Sequence, residues 1–150
     1  MINIKNQVRK IKISEKKLIS NAQKILDILD YSNFDLGILL TTNKTIHQYN
    51  KEFRQKDKPT DILSFSYHAD LKAGQRIKPK TEDDKNLGDL IISLEYVQKD
   101  AKKYAATFEQ RMQVLLVHGI CHLLGYDHIK DEDYKVMHKQ EQKILKLLNS

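Results

Sequence analysis

Three of the six histidines of this 150-residue chain lie in one short segment, from His118 to His128, whose sequence is HGICHLLGYDH. His118 and His122 have the i, i+4 spacing that places two side chains on one face of a helix, one turn apart. Gly125 follows, and glycine is the usual residue where a helix ends in a left-handed turn. The chain can therefore turn back and present His128 beside the other two. Three imidazoles that converge from one side leave a fourth tetrahedral position open, which is typical of a catalytic zinc site.

Position 119 separates this segment from the metallopeptidases. The histidines and Gly125 have the spacing of the metzincin motif H-E-x-x-H-x-x-G-x-x-H, which predicts a zincin-like metal-binding helix. Gly119, however, occupies the position of the glutamate that serves as general base in those enzymes. The metal ligands are thus retained without the proton acceptor of peptidase chemistry.

Composition indicates one domain over residues 1–150, because 40% of the residues are apolar and 31% are charged. No apolar run is long enough to cross a membrane, and the N-terminus lacks the apolar core of a signal peptide. Cys121 is the single cysteine, so no internal disulfide can form. We therefore expect a cytoplasmic, reducing setting and no membrane partner.

The net charge of +6 is concentrated near the N-terminus, where residues 1–24 carry seven basic side chains against one acidic side chain, Glu15. A basic surface favours nucleic acid through release of counterions. A solvated basic face without a partner is an equally good interpretation of composition alone.

Apolar periodicity predicts an α+β fold with about four strands flanked by helices. The predicted strands are 2–8, 36–40, 62–67 and 87–93, and the predicted helices are 15–30, 43–53, 94–105, 108–124 and a last one that begins at the acidic residues 131–133. The predicted helix caps are Ser14, Thr42 or Asn43, Ser93 and Thr107. Residues 68–86 show no period and are expected to form a long mobile loop near the site. The packed face of the last helix is predicted to comprise Val136, Met137, Ile144, Leu145 and Leu148.

Three segments resemble the YbeY family of bacterial endoribonucleases, which act as ribosomal RNA maturation factors. The histidine segment is similar to the family signature. Arg54 with residues 58–65, KPTDILSF, resembles the family's central arginine and its T-D-V-L-S-F strand, and residues 87–93, LGDLIIS, resemble its L-G-D-I strand. The matches keep the family's order over most of the chain. The departures are Cys121, where an aliphatic residue is usual, and Ile62 in place of valine.

The resemblance implies a mixed β-sheet flanked by helices and a metal-dependent endoribonuclease acting on single-stranded RNA in ribosomal RNA maturation and ribosome quality control. His118, His122 and His128 would bind one zinc ion, although three imidazoles also suit other divalent transition metals. Arg54 would handle the scissile phosphate, and catalysis is assigned to Arg54 and His118. The partners implied are single-stranded RNA, foremost ribosomal RNA, and the ribosome or its proteins.

Several side chains have a second interpretation. Arg54 could instead form a surface ion pair with Glu52, Asp57 or Asp61. Asp61 and Asp89 could accept hydrogen bonds from the metal-binding histidines, or they could cap turns near strand ends. Cys121 could face the metal, but a small buried apolar role is favoured. The three isolated histidines are assigned to the surface: His47, His68 and His138.

Two alternative functions remain open. The first is a ribosome-assembly factor without catalysis, in which the metal only stabilises the C-terminal helices. The second, less favoured, is a metallopeptidase. For RNA cleavage itself, the sequence leaves open attack by the 2′-hydroxyl, which produces a 2′,3′-cyclic phosphate, and direct hydrolysis.

Overall fold

The computed structural model describes all 150 residues, which form an α+β fold of four strands and five helices. In chain order these are β1 (Ile2–Asn6), α1 (Glu15–Ile28), β2 (Asp35–Thr41), α2 (Asn43–Arg54), β3 (Ile62–Ser66), β4 (Asn86–Ser93), α3 (Leu94–Lys103), α4 (Phe108–Leu123) and α5 (Asp131–Leu148). A single 3-10 turn, Glu82–Asp84, precedes β4. No helix of the chain combines the length and the apolar character needed to cross a membrane.

The four strands form one mixed sheet in the order β1-β2-β4-β3. β1, β2 and β4 run parallel, and β3 pairs antiparallel with β4 along one edge. The mixed sheet and the α+β class are therefore confirmed. Two strands are shorter than predicted: β1 ends at Asn6, so that Val8 is buried outside it, and β3 ends at Ser66.

Helices pack on both faces of the sheet. Side chains of alternate strand positions, such as Ile38, Leu90 and Ile62, belong to the main core together with α1, α4 and α5. On the other face, Ile46 of α2 packs against Leu63 and Ile91. α4 packs against β3, α3 and α5, and its two histidines, His118 and His122, stay partly exposed.

Local capping sets where the helices begin, as the sequence predicts. The side chains of Ser14, Thr42, Ser93 and Thr107 each accept a hydrogen bond from a backbone N–H in the first turn. At α4 the cap is reciprocal, because Thr107 accepts from the Gln110 N–H at 3.1 Å and the Gln110 side chain accepts from the Thr107 N–H at 2.9 Å. The helix that carries two of the histidines therefore begins at a fixed residue.

The segment between β3 and β4 is irregular, as predicted, but long-range contacts anchor it. Ile77 is buried, and its N–H donates to the Tyr31 hydroxyl at 3.0 Å. The Arg76 guanidinium donates to the carbonyls of Leu29 and Asp30 and lies 4.1 Å from the centre of the Tyr31 ring. These contacts argue against a mobile loop over its whole length, and sequence periodicity cannot reveal them because the partners are distant in the chain.

The packed face of α5 differs from the prediction at one position. Met137, Ile144 and Leu148 are buried and Leu145 packs against the core, but Val136 is 53% exposed. Val136 is one residue from Met137, which rotates it about 100° around the helix and away from the core.

Candidate metal centre

α4 brings His118 and His122 together and packs closely against the sheet. Gly119 faces Ile62 and Leu90, and a Cβ added there would lie 2.7 and 2.8 Å from side-chain atoms of these two residues. A glutamate at position 119 would place its carboxylate in the apolar core, where an unpaired charge is costly. The glycine therefore has a packing role.

α4 ends in a turn that returns the chain to the histidines. The Gly125 N–H donates to the His122 carbonyl at 3.0 Å, and the Tyr126 N–H donates to the Cys121 carbonyl at 3.1 Å. This pair of bonds is a Schellman motif, which needs a residue with positive φ, and Gly125 has a φ of 92°. The turn directs the chain back so that His128 lies against the other two imidazoles, as predicted.

The three imidazoles converge on one point. One ring nitrogen from each of His118, His122 and His128 lies within 4.8 Å of the others, and the Nε2 atoms of His118 and His122 are 3.1 Å apart. Ligand nitrogens around a tetrahedral zinc ion are separated by roughly 3.3 Å, given zinc–nitrogen bonds of about 2.05 Å. The donor set therefore fits a divalent transition metal after a small inward movement of the side chains. His128 is exposed, so the centre can be approached from solvent.

A carboxylate that the sequence analysis missed contacts the centre. Glu141 of α5 lies 2.8 Å from Nδ1 of His118 through its Oε2. Because a carboxylate has no proton to give, Nδ1–H is the donor. A sequence signal for this residue exists, since Glu141 continues the buried stripe of α5 formed by Met137, Ile144 and Leu148.

The structure places neither Asp61 nor Asp89 beside the histidines, so of the two roles left open for them the one at the metal centre is excluded. Asp61 accepts hydrogen bonds from the Ile62 N–H at 2.7 Å and from the Thr60 hydroxyl at 3.3 Å, which is the alternative local capping role. Asp89 lies over Gly37, in a groove on the sheet face that α2 partly covers. Side chains alternate between faces along a strand, and this alternation directs Asp89 away from the main core and α4.

The environment keeps His122 neutral. Burial, and secondarily repulsion from His118 and His128, lowers the pKa of His122 from its ordinary value of 6.5 to about 4. A neutral imidazole has a lone pair available for a metal at pH 7.

Cys121 is fully buried, which supports the apolar role favoured for it. Burial, together with the charge of Glu141, raises the pKa of the Cys121 thiol to about 12. The thiol is therefore protonated at neutral pH in the metal-free protein and packs as a small apolar group.

Arg54 lies exposed in the last turn of α2, and its guanidinium forms no ion pair. The ion pairs considered as an alternative are thus absent: Asp57 instead lies 2.7 Å from His47, and Asp61 bonds locally. The chain after Arg54 is held by Asn50, whose side-chain amide donates to the Lys58 carbonyl at 2.8 Å. The assignment of Arg54 to the scissile phosphate remains a prediction.

The remaining histidines take no part in the centre. His138 is exposed and stacks on Tyr134, as expected of a surface residue. His47 and His68 are half-buried, with His47 beside Asp57 and His68 Nε2 2.8 Å from the Asp84 carbonyl.

A cavity of about 790 Å³ adjoins the centre at His122. Residues 69–73 line one side, and the exposed Val136 and Asp133 of α5 line another. The irregular segment after β3 therefore lies near the site, as predicted, and Val136 borders this cavity instead of the core.

Comparison with known proteins gives a consistent result over the chain. Residues 3–149 match the sequence model of the family described as Endoribonuclease YbeY. A relative with that description from Sulfurihydrogenibium sp. (strain YO3AOP1) is 41% identical over 144 residues, covering 95% of this chain and 89% of the relative. A human relative, also described as Endoribonuclease YbeY, is 37% identical over 142 residues, with 95% and 84% covered.

Two further comparisons show how much of a relative's length this chain matches and which known structure shares its fold. A relative from Fusobacterium nucleatum, again described as Endoribonuclease YbeY, is 45% identical over 115 residues, which cover 73% of this chain and 64% of that protein. The solution structure of TM1509 from Thermotoga maritima superposes with a TM-score of 0.60 at 24% identity, covering 99% of this chain and 89% of that one, and it supports the fold. Because the family match and the full-length identities agree, the chain belongs to the YbeY family of endoribonucleases.

Proposed function

We propose that this protein is a metal-dependent endoribonuclease that cleaves single-stranded RNA, with one zinc ion bound by His118, His122 and His128. The observation that carries the proposal is the convergence of three imidazole nitrogens within 4.8 Å of one another. The family membership supplies the substrate class, because the relatives are described as endoribonucleases.

The protein residues have distinct roles in this proposal. A zinc ion, when bound, supplies Lewis-acid chemistry that stabilises negative charge on a phosphate and promotes ionisation of water. His128 leaves the centre accessible, because its side chain is exposed. Arg54 grips two phosphate oxygens through its planar guanidinium, which lysine cannot reproduce.

The proposed setting is the maturation and quality control of ribosomal RNA in the cytoplasm, with the ribosome or its proteins as partners. Resemblance to the family motifs supports this role. The formal net charge of +6 is compatible with an RNA partner.

The decisive experiment measures cleavage of single-stranded RNA by the parent protein and by His122→Ala, purified identically, with metal content determined on the same samples. We expect cleavage and bound metal in the parent and neither in the variant. Equal cleavage by both proteins would indicate a contaminating nuclease and would contradict the proposal.

A non-catalytic assembly factor is the second candidate, because the centre joins separate parts of the fold. The histidines connect α4 to the chain after Gly125, and Glu141 connects His118 to α5. A parent protein that binds metal and RNA but cuts no RNA would favour this function. A metallopeptidase is disfavoured, since position 119 faces the apolar core.

A further inference from the structure

We infer that Glu141 is a positioning residue for the metal centre, which fixes the tautomer of His118 and supplies negative charge to the bound cation. This inference rests on the proposed metal site. It concerns a side chain on α5, outside the histidine segment.

The hydrogen bond fixes which nitrogen of His118 is available. Oε2 of Glu141 accepts from Nδ1–H of His118 at 2.8 Å, so the proton of the neutral ring resides on Nδ1. The lone pair is then on Nε2, and that atom lies 3.1 Å from Nε2 of His122, inside the cluster. Without the carboxylate, the ring could place its proton on Nε2, and that proton would have to move before a metal could bind there.

The burial of Glu141 indicates what the carboxylate is for. Its side chain is 16% exposed, and its one hydrogen-bond or ion-pair partner is the His118 ring. A mostly buried carboxylate is costly unless positive charge compensates it. Three neutral imidazoles give a divalent ion no negative charge, so one nearby carboxylate and the ion would compensate each other. Carboxylate–histidine–metal arrangements commonly orient the ring and strengthen the ligand in this way.

The test compares Glu141→Ala, Glu141→Gln and a matched control, Glu132→Gln, in the full chain. Glu132 lies on the same helix, is exposed, and forms no hydrogen bond or ion pair. The first readout is the zinc affinity of the metal-free proteins, titrated against a competing chelator. We expect Glu141→Ala to bind zinc about 10- to 100-fold more weakly, as is typical for loss of such a partner. Glu141→Gln should fall in between, because its amide oxygen still accepts from Nδ1–H without the charge.

The second readout is independent of bound metal. Imidazole ¹⁵N shifts of the metal-free proteins in mildly alkaline solution report the tautomer of His118. A purely structural role of Glu141 in packing would not favour one tautomer over the other. We expect the Nδ1–H tautomer in the parent, in Glu141→Gln and in Glu132→Gln, and a mixture in Glu141→Ala. If Glu141→Ala fails to fold, Glu141→Gln, which is similar in size, tests the contribution of charge.

Two results would overturn the inference: zinc affinity within threefold of the parent in both Glu141 variants, or an unchanged tautomer in Glu141→Ala. A parent protein that binds no zinc would instead refute the proposed metal site. The tautomer measurement would still decide whether Glu141 orients His118, so the two failures are distinguishable.

Discussion

At the scale of single residues, Arg54 differs from the histidines in its contacts with neighbouring side chains. The histidine rings contact one another, and their ring centres are 4.5 to 5.4 Å apart. The Arg54 guanidinium is exposed and without an ion-pair partner, while Asn50 fixes the chain that follows it. Such a side chain keeps its donors available for a phosphate group, and no protein carboxylate has to be displaced first.

We therefore expect Arg54→Ala to lower the rate of RNA cleavage by about 100-fold or more, the usual effect of removing a group that stabilises transition-state charge. Metal content should remain that of the parent, because Arg54 is not a ligand. Arg54→Lys should restore little activity, since lysine cannot form two parallel hydrogen bonds. Lys51→Ala, which removes a neighbouring exposed charge from the same helix end, is the control. Parental cleavage by Arg54→Ala would show that the arginine has no role in catalysis.

The convergence of the three histidines could be predicted from the sequence, but the contact between His118 and Glu141 could not be predicted with the same rules. His118, His122 and His128 are close in the chain, so helix geometry and one glycine suffice to bring them together. Glu141 is 23 residues from His118, and its contact depends on how α5 packs on α4. For Asp61 and Asp89 the sequence leaves two roles open; the structure shows that Asp61 bonds to its own neighbours and that strand alternation directs Asp89 away from α4.

At the scale of elements, the turn after α4 determines where His128 lies. Gly125 combines a φ of 92° with close approach to the backbone of Leu71, which an added Cβ would strike. Gly74 has a similar φ of 85° but no neighbour within 4 Å of such a Cβ. A substitution at Gly74 therefore tests backbone strain alone, whereas a substitution at Gly125 tests backbone strain together with steric collision.

We expect Gly74→Ala to lower the free energy of unfolding by about 1–2 kcal/mol, the cost of a left-handed residue with a side chain. Gly125→Ala should lower it by more, because the Leu71 backbone must also move, and it should weaken zinc binding by displacing His128. Urea unfolding and zinc titration of both variants check this. Equal losses of stability with unchanged zinc affinity in both would contradict the proposed role of the turn.

Features that depend on residues close together in the chain, such as helix caps, could be predicted from the sequence. Features that depend on contacts between residues far apart in the chain could not. The caps at Ser14, Ser93 and Thr107 need only a side chain and the first turn of its own helix, so sequence suffices. The anchoring of Ile77 by Tyr31 joins residues 46 positions apart. Nothing in the periodicity of residues 68–86 encodes that contact, which is why the segment resembled a mobile loop.

At the scale of the whole molecule, a metal ion at the centre would tie α4 to the chain after its turn and, through Glu141, to α5. A ligand that binds only the folded state stabilises it by about 2.7 kcal/mol at a concentration 100 times its dissociation constant. We expect zinc to raise the unfolding free energy of the parent by this amount and to leave His122→Ala nearly unchanged. Thermal or urea unfolding with and without zinc measures the difference, and an equal increase in both proteins would place the zinc elsewhere.

The metal-free protein should lose stability in mild acid because folding keeps His122 neutral. Burial first, and repulsion from His118 and His128 second, lowers the pKa of His122 from 6.5 to about 4. As the pH falls, the unfolded chain binds this proton near 6.5, whereas the folded chain binds it only near 4. The contribution of neutral His122 to the unfolding free energy is therefore fully present above pH 6.5. It falls as the pH decreases from 6.5 to about 4, and it is lost below that.

Urea unfolding of chelator-treated protein at several pH values across this interval, beside His122→Asn, isolates the effect. Asn does not titrate, so the unfolding free energy of the variant should fall less steeply with decreasing pH than that of the parent. Hydrogen bonds from Gln23 and His47 lower the pKa of Asp27 and Asp57 in both proteins, and their contributions cancel in the comparison. Parallel curves would mean that His122 is protonated as readily in the folded chain as in the unfolded one, and that its lone pair is not held ready for a metal.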